Sequence, residues 1–202
     1  MNEKSESEIE EENSIEGESN IDNNNEKKGK IKKKKNFFFE WIVPIIVAVA
    51  IAILIKQFLI FKVYIPSGSM IPTLNVGDHL FVTRVYNLNN IKRGDIIVFD
   101  SEELNDVLIK RLIGLPGDTV SIVNGKVSVN GEELDESYVK PENSDQFYGE
   151  FHVPDGKYFF LGDNRRVSFD SRKWVNPYVD GKDIKAKAQL KVYPFSDFGS
   201  VK

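Results

Sequence analysis

A run of 25 residues, Phe37 to Phe61, is apolar at every position except Glu40, Lys56 and Gln57. A bilayer core takes about 20 apolar residues as a helix, so the stretch reads as a membrane-spanning segment at 37–61. Glu40 stands at the entry, within reach of headgroups, and Pro44 falls in the first turns, where a missing N–H costs least. Lys56 lies near the far end, where its head can reach outward along an apolar stem. Seven lysines crowd residues 27–35 immediately upstream, and the positive-inside rule then sets the N-terminus in the cytoplasm with everything after the helix translocated. A cleaved signal peptide is the alternative, with Ser67-Gly68-Ser69 as small residues after the helix-breaking Pro66. The long upstream region, and an apolar stretch beyond the usual ~7–15 residues, favour the anchor.

Residues 1–26 carry ten acids against the single Lys4 and almost nothing apolar. Residues 1–36 are therefore expected to be a disordered cytoplasmic tail, acidic and then lysine-rich. The formal net charge of −4 is a sum over segments in different environments. Only residues 62–202 can build a core of ordinary domain size, and they are expected to form an extracytoplasmic domain. The chain has no cysteine, which excludes a thiol nucleophile, a disulfide framework and thiolate metal sites. His79 and His152 are the only histidines, so a histidine-rich metal site is excluded too. The lone basic cluster is the lysine run, and no nucleic-acid partner is expected.

After Lys62 the pattern changes to short β-rich runs broken by turn residues. The expected strands are His79–Tyr86, Asp95–Phe99, Val107–Ile113, Thr119–Val123, Lys126–Val129, Lys157–Leu161 and Ile184–Tyr193. Asn124-Gly125 joins two of them as a hairpin signal, and Asn130-Gly131 supplies a second turn. No stretch beyond the anchor sustains a 3.6-residue apolar period. The expectation is a mainly antiparallel sheet domain, folded or barrel-like, with residues 132–146 as a polar loop or short excursion.

Two places carry chemistry. In Ile65-Pro66-Ser67-Gly68-Ser69-Met70-Ile71-Pro72-Thr73-Leu74, two prolines and a glycine fix an irregular backbone that presents small hydroxyls between apolar residues. A serine nucleophile needs such placement and an adjacent base. The same composition suits a plain linker, although Met70, Ile71 and Leu74 have no reason to sit in one. The second place is Val107-Leu108-Ile109-Lys110-Arg111-Leu112-Ile113, where alternation sets Lys110 between Leu108 and Leu112 and turns Arg111 to the other face. A lysine so desolvated has a lowered pKa and can serve as a base, unless its head reaches water. A Ser-His-Asp triad would require His79 or His152, and no G-x-S-x-G elbow surrounds Ser69. A third segment, residues 162–172, crowds charges and hydroxyls into one loop at a strand end. Arg93-Gly94-Asp95 reads as a turn rather than an adhesion tripeptide.

Taken in order, four of these segments resemble bacterial type I signal peptidases, and the single anchor resembles the Gram-positive form. They are residues 66–74, 93–99, 110–118 and 162–172, within a resemblance spanning Trp41 to Tyr193. The resemblance implies a mainly β fold: one N-terminal transmembrane helix, then an antiparallel β-sheet catalytic domain. It implies a plasma-membrane serine endopeptidase that removes signal peptides from exported preproteins after small residues. Ser69 corresponds to the nucleophile and Lys110 to the general base. Ser67, with the Ser69 N–H, corresponds to the oxyanion hole, and Ser168 to the serine that orients the lysine. Asp170 and Arg172 correspond to a supporting ion pair, with Asp163 and Arg165 in the same loop. Ile65, Met70, Leu74, Leu108 and Ile109 correspond to positions lining the pockets for small substrate side chains. Arg166 departs from the family's usual Asp or Asn, and Leu108 from a common tyrosine. The implied partners are exported preproteins and the lipid bilayer, and no metal or cofactor is implied. A peptidase devoted to one pilin-like precursor, or a non-catalytic tethered β-domain binding exported proteins, would carry the same outline.

Overall fold

The computed structural model describes residues 37–201, with side chains at 39–55 and 59–201; the expected disordered tail lies outside the described residues. A helix, α1 (Phe37–Phe58), is followed by twelve strands. In chain order these are β1 (Ile60–Tyr64), β2 (His79–Arg84), β3 (Ile96–Ser101), β4 (Asp106–Gly114), β5 (Thr119–Val123) and β6 (Lys126–Val129). Then come β7 (Glu132–Glu133), β8 (Gly149–His152), β9 (Lys157–Leu161), β10 (Val179–Asp180), β11 (Ile184–Tyr193) and β12 (Gly199–Ser200).

The helix has Pro44 inside its second turn and stops at Phe58, short of the Phe61 expected for the apolar run. The last residues of that run, with Lys62 to Tyr64, form β1, which pairs with β2 from Ile60↔Thr83 to Tyr64↔His79. Leu59 is the only residue between helix and strand, and it belongs to both. Its N–H donates to Ile55 O inside the helix, and its carbonyl accepts from Arg84 N on β2, each at 2.9 Å. Over the described side chains, no helix is long and apolar enough to cross a membrane. The apolar side chains of α1 stand exposed, as at Trp41, Ile45 and Ile53.

The strands make two antiparallel sheets, as expected for the class. The larger runs β1-β2-β11-β3-β4-β9-β10, with β12 added to β11, and the smaller runs β7-β6-β5-β8. The larger sheet is an open path with β1 and β10 at its ends, not a closed barrel. The Asn124-Gly125 and Asn130-Gly131 turns have positive φ at both residues, the geometry of tight hairpins. Gly125 has a second reason to lack a side chain, since a Cβ there would sit 2.0 Å from the Asp145 carbonyl. That contact docks the 134–148 excursion onto the β5–β6 hairpin.

Strand alternation sorts the core. Ile96 and Val98 of β3 face a cluster with Ile65, Met70, Leu74, Leu80 and Val82, against which Ile109 of β4 packs. Ile97 and Phe99 face the other way with Leu112, Phe160 and Trp174, and Leu108 packs there. A third cluster, around Ile113, Val120 and Phe159, joins the two sheets. The turn between β1 and β2, residues 65–78, and the loop after β9, residues 162–172, both reach the region where β4 crosses the middle of the larger sheet.

Candidate active site

Ser69 sits in a one-turn 3-10 helix, Gly68–Met70, that interrupts the irregular turn after β1. Met70 and Leu74 are fully buried and pin this turn onto the sheet, which a solvated linker would not be. Lys110 projects from the middle of β4 and is only 4% exposed. Its Nζ lies 2.7 Å from Ser69 Oγ, so two side chains 41 residues apart meet at hydrogen-bond distance. Burial pushes the Lys110 amine down from 10.5 to about 8, against the raising pull of Asp170 and Asp163. A group so tuned is neutral in an appreciable fraction near neutral pH and can accept a hydroxyl proton. Ser67 Oγ stands 3.4 Å from Ser69 Oγ on the exposed side.

Gly162 begins the loop after β9 and has no room for a side chain. A Cβ would lie 2.3 Å from Ser168 Oγ and 2.5 Å from the Ser69 carbonyl. The Ser69 backbone thus rests directly on the loop. Ser168 Oγ is fully buried, and among the described residues the expected bond from it to Lys110 is not formed. Asp170 and Arg172 do pair, through Nε to Oδ1 at 2.8 Å and Nη2 to Oδ2 at 2.9 Å. Burial pushes the Asp170 carboxyl up, but Arg172 and the Gly162 N–H outweigh it and hold it below the usual carboxylate range.

Asp163 and Arg165, neighbours in the loop, do not pair with each other. Asp163 takes a two-point bond from Arg111, at 2.8 and 2.6 Å, and another from Thr73 Oγ1 at 2.5 Å. Arg165 pairs with Glu136, and Arg172 reaches Asp145, both carboxylates coming from the polar excursion. Tyr138 of the same excursion lies over the Arg111 guanidinium, 3.8 Å from ring centroid to Cζ. Residues 134–148 are the expected polar loop, and they also act as a strap that neutralises Arg165 and Arg172. Arg166 stays exposed and contributes only its N–H, to the Asn143 carbonyl at 3.0 Å.

Of the expected pocket residues, Ile65, Met70, Leu74 and Ile109 come together in one apolar cluster under the Ser69 turn. Leu108 does not join them, because alternation along β4 turns it to the opposite face. Sequence reasoning missed Arg111, Thr73, Glu136 and Asp145 as support, and Asn164 altogether. Asn164 was legible as the amide inside the charged loop; the others had no local signal.

A family model described as signal peptidase, peptidase S26, matches residues 38–193. The signal peptidase I of Bacillus licheniformis is 40% identical over 179 residues, covering 83% of this chain and 95% of that protein. A signal peptidase I P of Bacillus subtilis subsp. natto is 40% identical over 186 residues, covering 87% and 99%. A crystal structure of a signal peptidase I from Enterococcus faecalis is 32% identical with a TM-score of 0.43, covering 50% of this chain and 98% of that one.

Proposed function

The chain belongs to the signal peptidase family, peptidase S26, and on that premise we propose that it removes signal peptides with Ser69 as nucleophile and Lys110 as general base. It is a serine endopeptidase acting on exported preproteins. The observation that carries the dyad is the 2.7 Å approach of a buried lysine, lowered to about 8, to a serine held in a rigid turn. Neutral Lys110 takes the Ser69 proton as Oγ attacks the scissile carbonyl. The protonated amine then supplies a proton to the leaving amine, and the neutral amine activates water to hydrolyse the acyl-enzyme. The Ser69 N–H and the Ser67 hydroxyl face the developing oxyanion. Ile65, Met70, Leu74 and Ile109 make an apolar floor that favours small side chains before the cut.

A membrane anchor belongs to the same proposal: α1, Phe37–Phe58, holds the enzyme in the bilayer with the tail cytoplasmic and the β domain outside. The exposed apolar side chains of α1 and the seven lysines upstream support it. The test is cleavage of a preprotein by detergent-solubilised enzyme. Ser69→Ala and Lys110→Ala should each lower kcat by about a thousandfold or more while the protein stays folded. Folded variants that cut at the parent rate would refute the dyad.

A further inference from the structure

We infer that Asn164 is a positioning residue that aims the oxyanion-binding N–H of Ser69; the inference rests on the reading of Ser69 as nucleophile. Asn164 is buried in the loop after β9 and holds the nucleophile turn at two consecutive carbonyls. Its Nδ2 donates to Gly68 O and its backbone N–H donates to Ser69 O, each at 3.0 Å. A carbonyl oxygen can only accept, so the amide face turned to Gly68 must be the NH2 group. The side chain cannot be flipped without setting two acceptors against each other.

The consequence follows from peptide planarity. The Gly68–Ser69 bond is trans, and in a trans peptide the C=O and the next N–H point in opposite directions. Fixing the Gly68 carbonyl toward Asn164 therefore turns the Ser69 N–H away from it, out of the protein interior. That N–H is the donor the developing oxyanion needs, and a donor aimed in advance costs no reorganisation when charge appears. Gly68 O also accepts from Ile71 N, but at a longer 3.3 Å and from within the same turn. Asn164 is the contact that ties the plane to the rest of the fold. Its own carbonyl accepts from Ser168 N at 2.9 Å, so the clamp is seated in the loop.

The test compares Asn164→Asp and Asn164→Ala with the parent, using the full chain in detergent and a peptide substrate with small residues before the cut. Asn164→Asp keeps the shape and the backbone bonds but presents an oxygen to Gly68 O. The expected result is a kcat lower by roughly 10- to 100-fold with KM within about twofold, the range for weakening one oxyanion donor. A peptide boronate, which forms a tetrahedral adduct on serine, should lose affinity by the same factor. The acid limb of the pH profile should not move in Asn164→Ala, which adds no charge near Lys110, whereas the new carboxylate of Asn164→Asp should shift it upward as Asp170 and Asp163 do. Asn143→Ala is the control: its Nδ2 bonds the Ile71 carbonyl at 3.3 Å, beyond the oxyanion plane, and activity should stay within about twofold. A folded Asn164→Asp enzyme with parental kcat and boronate affinity would overturn the inference, as would a loss confined to KM in either variant or a displaced acid limb in Asn164→Ala. Should Asn164→Asp fail to fold, the same readouts on Asn164→Ala decide. Parental activity in Ser69→Ala would instead sink the reading on which the inference stands.

Discussion

Lys110 is the residue at which burial and chemistry make the same demand. A charged amine is costly in its setting between Leu108 and Leu112, and the chemistry needs it neutral. With its pKa near 8, kcat should fall about tenfold for each pH unit below that value, following a single protonation. A profile flat from pH 8 to 6 would remove lysine as the base. The same shift has a stability consequence. The folded pKa lies below the unfolded one, so between about 8 and 10.5 the unfolded chain binds more protons and stability rises with pH. Below that window the penalty is fully present. Lys110→Met should therefore be inactive yet melt higher than the parent at pH 7, by about 2–4 °C, as seen by circular dichroism. The proposed dyad was legible because both partners carry local signals, a proline-flanked serine and a lysine between leucines on a strand. The partners of Arg165 and Arg172 were not, since Glu136 and Asp145 lie 29 and 27 residues away in a stretch whose composition suits any loop.

Elements, rather than residues, bring the nucleophile and its support into contact. The loop after β9 meets the turn after β1 with no side chain between them at Gly162. Gly162→Ala would drive a methyl into both Ser168 and the Ser69 carbonyl. The backbone cannot yield there without displacing the nucleophile, so kcat/KM should fall by about a hundredfold or more. An unfolding free energy lower by ~1–3 kcal/mol, read from urea denaturation, should accompany the loss. Unchanged activity would mean that the close approach is not needed for catalysis. Four of the seven expected strands, 119–123, 126–129, 157–161 and 184–193, match the observed ones end to end. They are bounded by turn residues whose geometry is local. β1 was missed for a physical reason: a continuous apolar run looks alike as the end of a helix and as a strand buried on one face. Short β7, β10 and β12 span two residues each, too few to carry a pattern of their own.

For the whole molecule, the join between helix and sheet decides what can be removed. β1 is an end strand of the larger sheet, yet it leads straight into the Ser69 turn, with Ile65 N and O bonded to the turn at Asp78 and Gly77. A chain beginning at Leu59 keeps that strand and should fold and cleave a soluble peptide. A chain beginning at Pro66 loses β1 and should have at least about a hundredfold lower kcat/KM, because the nucleophile turn is then held at one end only. Equal activities from the two would show that β1 does not position the site. Leu59 has a further meaning once α1 is set in a bilayer. With one residue at the joint, bonded on both sides, there is no slack between membrane and blade. Ser69 lies ten residues beyond the joint, so the cutting edge can stand no more than about 35 Å above the helix end. Anchored as proposed, the enzyme would be a gauge as well as a knife, measuring where to cut from the surface that holds it.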